Sequence, residues 1–132
     1  MKKILALVGF VCAATEASAL VYDCTIEGRF SNGWVTERVI VGLDGENGES
    51  FVYDGVIDHR YGEPIEPNVR SNRGGDVTLT WDVEDLRGRS GRTYDLRYTG
   101  FLDTDAMTLR VTARLRETGQ HERGNGSCTI AN

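Results

Sequence analysis

The chain has 132 residues, of which 39% are hydrophobic and 27% charged, with a formal net charge of −5 at pH 7. That length fits one domain of ordinary size and requires no second one. The acidic balance excludes nonspecific binding to nucleic acid or to an anionic membrane surface.

Residues 1–19, MKKILALVGFVCAATEASA, put Lys2 and Lys3 ahead of an apolar run from Ile4 to Ala14 and finish on Ala17-Ser18-Ala19. A charged start, an apolar stretch too short to cross a bilayer and small residues at the end form the pattern of a secretory signal peptide cut after Ala19. Cys12 follows Phe10 and Val11, without the small residues that precede an acylated cysteine, so no membrane anchor is expected. The expected mature chain is a single soluble β domain, residues 20–132, located in a periplasm or outside the cell. Loss of Lys2, Lys3 and Glu16 takes its net charge from −5 to −6. All remaining basic residues are arginines, which genomic base composition explains better than selection for a ligand.

Cleavage also removes Cys12 and leaves an even pair, Cys24 and Cys128. In an oxidising compartment, two cysteines at the ends of a small domain form a disulfide. In the chain-entropy model, closing so long a loop contributes at most about 4.7 kcal/mol.

Along the mature chain, hydrophobicity alternates with period two, and no convincing 3.6-residue stripe extends over three turns. Strands are expected at LVYDCTIEG (20–28), GWVTERVIVGLD (33–44) and ESFVYDGVID (49–58), separated by turn residues. The proline-containing stretch 59–75 holds a short edge strand at 68–72. DVTLTWDVEDL (76–86) turns Val77, Leu79, Trp81 and Val83 inward, and RTYDLRYTGFL (92–102) does the same with Tyr94, Leu96 and Tyr98. RGRSG joins these two as a hairpin. DAMTLRVTARLRE (105–117) alternates most cleanly, and SCTIA (127–131) is the last strand.

Eight strands in an up-and-down meander bring the last back antiparallel to the first. The repeated Cys-Thr-Ile at 24–26 and 128–130 then places the cysteines opposite one another. The expected fold is a small antiparallel up-and-down β-barrel closed by a terminal disulfide, with a β-sandwich as the alternative. The architecture is similar to that of lipocalins and of bacterial periplasmic lysozyme inhibitors. The lipocalin Gly-x-Trp is absent, NGW at 32–34 having a different spacing, and no stretch matches the serine- and glycine-rich inhibitory loop.

Neither histidine, His59 or His121, sits in a motif for nucleophilic, metal or phosphate chemistry, so the expectation is a binding protein, not an enzyme, with no cofactor and no metal. Meander loops alternate between barrel ends. Loops 28–33, 59–65, 87–91 and 117–126 gather Arg29, His59, Arg60, Arg87, Arg89, His121 and Arg123 as a candidate surface for an anion or acidic partner. The opposite loops gather Asp44, Glu46, Glu49, Asp103 and Asp105 for a basic partner. Inside, Tyr22, Tyr53, Trp81, Tyr94 and Tyr98 are the candidate lining of a pocket for one small molecule. A protein or envelope component met at the loop ends is the expected partner, and a small-molecule ligand the alternative.

Overall fold

The structure, a computed structural model, describes residues 20–44 and 48–131. The expected signal peptide and Glu46 lie outside them. The alternating stretches form strands β1 (Leu20–Glu27), β2 (Arg38–Leu43), β3 (Phe51–Asp54), β4 (Asn68–Ser71), β5 (Asp76–Arg87), β6 (Thr93–Asp103), β7 (Thr108–Leu115) and β8 (His121–Ala131). They make one antiparallel sheet in the order β3-β2-β1-β8-β7-β6-β5-β4. The first and last strands pair in the middle of it, and Cys24 faces Cys128 in register, joined by a disulfide with a Cα separation of 4.0 Å.

Glycine permits that closeness. A Cβ on Gly126 would collide with the Thr25 carbonyl of β1, so the strand carrying HERGNG approaches its neighbour as a bulkier sequence could not.

The sheet curls into a half-barrel, which corrects the expected closed barrel. Closure was placed at β1 and β8, and those strands do pair; the opening lies instead between the two short edge strands, β3 and β4. Between them the chain turns out of the sheet into a helix, α1 (Gly55–Tyr61). Asp54 starts it by accepting the Ile57 N–H at 2.8 Å, and Gly62, with φ of 75°, ends it by donating its N–H to the Asp58 carbonyl at 2.9 Å. Residues 55–58, expected as strand, are therefore helical. After α1, Ile65 makes a single two-way bridge to Val52 of β3, and the chain crosses to β4, where all four residues are exposed.

Side chains of α1 stitch the open side. Tyr61 Oη accepts the Glu84 N–H at 3.1 Å, and Arg60 Nε donates to the Glu84 carbonyl at 2.7 Å. Glu84 is presented there by an irregularity in β5, whose register with β6 shifts between Val83 and Leu86 as Asp85 adopts a φ of 54°.

The concave side is filled. Val39, Val41, Leu79, Val83, Leu96 and Tyr98 are fully buried there, and Trp81 stacks on Tyr98 at 5.3 Å between centroids.

Candidate functional site

At one end of the half-barrel, four chain segments converge on an open groove of about 780 Å³: residues 30–36, the start of α1 with His59, the β5–β6 turn and the loop before β8. The floor is set by an internal carboxylate. Counting back in twos from the inward Cys128 reaches Gly126, Gly124 and Glu122, and Glu122 is buried. Its Oε2 accepts the Asn32 N–H at 2.8 Å, and its Oε1 accepts those of Trp34 and Val35, each at 2.9 Å. Three backbone donors that would otherwise pair with a strand are satisfied by one side chain, so residues 33–37 form a shaped loop, not the expected start of β2. The Tyr98 hydroxyl fixes the same loop by donating to the Trp34 carbonyl at 2.6 Å. Burial holds that hydroxyl well above its usual pKa, and the carboxylates of Asp54 and Glu122 add to the shift. Burial also raises Asp54 itself to about 6, against the pull of the Ile57 and Val56 amides it caps.

Above this floor, Phe30, Leu86 and Tyr94 supply half-buried apolar surface, and His59, Arg87 and Arg89 supply exposed basic groups. Among the described residues, no carboxylate lines the groove. The ion pairs resolved among the described residues, Arg38–Asp23 and Arg97–Asp82, leave both Arg87 and Arg89 out. Each pair lowers its carboxyl's pKa through the guanidinium hydrogen bond, and both are too exposed to contribute much stability. No protein-family model, curated protein or solved structure matches this chain. What the groove can do must come from its own geometry.

Of the expected basic cluster, His59, Arg87 and Arg89 meet around the groove. Arg29 is exposed in the loop after β1 but is not among the lining residues. Arg60 is committed to Glu84 and lies 4.7 Å over the Tyr61 ring. His121 and Arg123, expected in a loop, belong to β8 and point away from the buried face that Glu122 occupies, because β8 begins six residues earlier than the sequence reading placed it.

The opposite, acidic loops are built mainly from turn-making contacts. Asp103 accepts the N–H groups of Asp105 and Ala106, and Thr104 ties that turn to the Gly75 carbonyl. Asp44, at a φ of 55°, Glu49 and Asp105 are exposed. Among the described residues, no three His, Cys, Asp or Glu side chains group as metal ligands would, and no helix is long and apolar enough to cross a membrane.

The aromatic set divides. Tyr22, Trp81 and Tyr98 are core residues, and Tyr94 lines the groove. Tyr53 is a correction: register puts Val52 and Asp54 on the face of Val41 and Val39, so Tyr53 points outward, where its hydroxyl donates to Asp58 and that bond raises its pKa. The sequence reading missed Phe30, Trp34, Asp54 and Glu122.

Proposed function

We propose that this chain is an exported binding module of the periplasm or extracellular space. It is cut after Ala19, folds as one domain and meets a protein or envelope component at the groove end. Its work is binding and not catalysis. In this reading the curled sheet is a barrel with one seam, sealed by α1, and not a pair of packed sheets. The observation that carries the reading is the convergence of four separate segments on one groove whose floor is pinned by Glu122. A prearranged surface of aromatic and arginine side chains loses little entropy on binding.

Site-specific photo-crosslinking in the exporting cell tests it. A crosslinker replacing Phe30 should yield a discrete adduct that disappears when Arg87→Glu and Arg89→Glu are combined. A crosslinker at Asp105, at the opposite end, should yield none. Adducts of equal strength from both ends, or none from Phe30, would remove the groove from the reading.

A second reading, a small-molecule carrier, is favoured by one atom: Trp81 Nε1 is buried and has no hydrogen-bond acceptor among the described residues. A ligand offering an acceptor would satisfy it. Native mass spectrometry of the exported protein decides this reading, since a carrier purifies with added mass and an empty oxidised monomer does not.

A further inference from the structure

The groove end also defines the chemistry of what it takes. We infer that its occupant is an acidic, amphipathic polypeptide segment of a partner, whose carboxylates meet Arg87 and Arg89 and whose apolar side chains meet Phe30, Val56, Leu86 and Tyr94. This inference rests on the reading of the groove as the binding surface.

The charge argument runs against the composition of the chain. Acidic residues outnumber basic ones, 20 to 15, yet the groove presents His59, Arg87 and Arg89 and, among the described residues, no carboxylate. Acids do occur in and beside the segments that build it: Asp58 in α1 and Glu117 in the loop before β8 are exposed but are not lining residues, and two others are buried. Asp54, next to lining residue Gly55, is buried and caps α1. Glu122, beneath Asn32 and Trp34, is buried and consumed by three backbone amides. Amide dipoles oppose the field of each buried carboxylate, so the charged side chains among the lining residues are Arg87 and Arg89.

Arg87 and Arg89 are exposed, form no ion pair among the described residues and are held two residues apart where β5 enters its turn, with Gly88 N–H bonded to the Arg92 carbonyl at 2.8 Å. Planar guanidinium forks recognise carboxylates two bonds at a time. A phosphate or a bare polyanion would satisfy them equally, but would leave the apolar part of the groove in water. Val56, Leu86, Phe30 and Tyr94 belong to the same lining, and a ligand carrying both acidic and apolar groups covers both. A polypeptide segment provides that alternation on one backbone.

The test uses the full mature protein and four fluorescein-labelled or inorganic probes: a nonapeptide alternating glutamates with leucine and phenylalanine, an all-glutamate nonapeptide, a lysine–leucine nonapeptide and pyrophosphate. The acidic amphipathic peptide should bind best, by roughly tenfold over all-glutamate, and should weaken as salt screens the arginines. Arg87→Glu with Arg89→Glu should cost it roughly tenfold or more, while Asp105→Asn at the far end leaves it unchanged. Leu86→Ser should weaken the amphipathic peptide and not the all-glutamate one. Equal binding of pyrophosphate, of all-glutamate or of the lysine peptide overturns the inference. So does absence of peptide binding by a protein whose Phe30 position still crosslinks its partner, in which case the groove reading survives and only the chemistry fails. Loss of the Phe30 crosslink as well removes both.

Discussion

Glu122 holds Trp34 across 88 residues of chain, its Oε1 accepting the Trp34 backbone N–H at 2.9 Å in a buried setting. The same carboxylate takes the Val35 and Asn32 amides, so the geometry of the groove floor depends on one side chain from the last strand. Replacing it with alanine leaves three donors unsatisfied, at least two of them buried. Glu122→Ala should therefore destabilise the protein by about 3 kcal/mol in urea titration, and Glu122→Gln, which keeps one acceptor oxygen, by less. Tryptophan emission should shift to the red in the native Ala variant as the loop loosens around Trp34. A stability change within about 0.5 kcal/mol for Ala would show that the three bonds do not hold the loop.

Asp54 supplies a pH dependence of definite sign. Its folded pKa is about 6 against an ordinary 3.8, raised chiefly by burial, so the folded state binds the extra proton between those values. Stability from this group is fully present below about pH 4 and falls as pH rises through about 6, a loss of about 3 kcal/mol at most. Asp54→Asn keeps an oxygen acceptor for the helix cap and cannot ionise. Urea midpoints of the two proteins should diverge across that window, with the Asn variant relatively more stable at neutral pH. Parallel curves would mean that Asp54 titrates like an ordinary carboxyl.

The strands β5, β6 and β7 and the pairing of the terminal strands were legible because their information is local and periodic. Val77, Leu79 and Trp81, or Leu109, Val111 and Ala113, declare a buried face by alternation alone. The repeated Cys-Thr-Ile fixed the register of β1 against β8. The helix was not legible: α1 spans seven residues and buries only Val56 and Ile57, too few to establish a 3.6-residue period. Asp54 before it reads equally as a turn acid until its cap bond is seen. Glycines hid the start of β8, since Gly124 and Gly126 read as loop when their actual role is to let β1 come close. With that start hidden, Glu122 passed for a solvated loop acid. The basic groove end was half legible, because sorting loops by end brought His59, Arg87 and Arg89 together but could not show which arginines are spent elsewhere.

The disulfide joins strands that already pair in register, its cysteines separated by 104 positions in sequence. Cys24→Ala with Cys128→Ala leaves that pairing in place but frees the unfolded chain. The loss expected is about 2–5 kcal/mol, with native circular dichroism retained well below the unfolding transition. Equilibrium urea unfolding with and without reductant on the unmodified protein provides the matching measurement. A double variant as stable as the oxidised protein would show that strand pairing alone fixes the terminal strands.

The open side of the sheet makes the last prediction. Edge strands β3 and β4 leave unpaired backbone groups, which invite association with another chain unless something covers them. β4 pairs only Val77–Thr80 of β5, so β5 is itself an edge beyond Thr80, and α1 covers that edge at Glu84, where Tyr61 Oη takes the N–H and Arg60 Nε the carbonyl. Tyr61→Phe removes the acceptor for that N–H while keeping the ring under the Arg60 guanidinium. The expected cost is about 1 kcal/mol, felt locally. Hydrogen exchange at the Glu84 amide should accelerate by roughly five- to tenfold, in keeping with that cost. The Leu96 amide, on the neighbouring strand in the core of the sheet, should not change. Adding Arg60→Ala should open the seam further and raise concentration-dependent aggregation. Unchanged exchange at Glu84 in both variants would mean that the packing of Val56 and Ile57, and not the two side-chain hydrogen bonds, holds the helix across the gap.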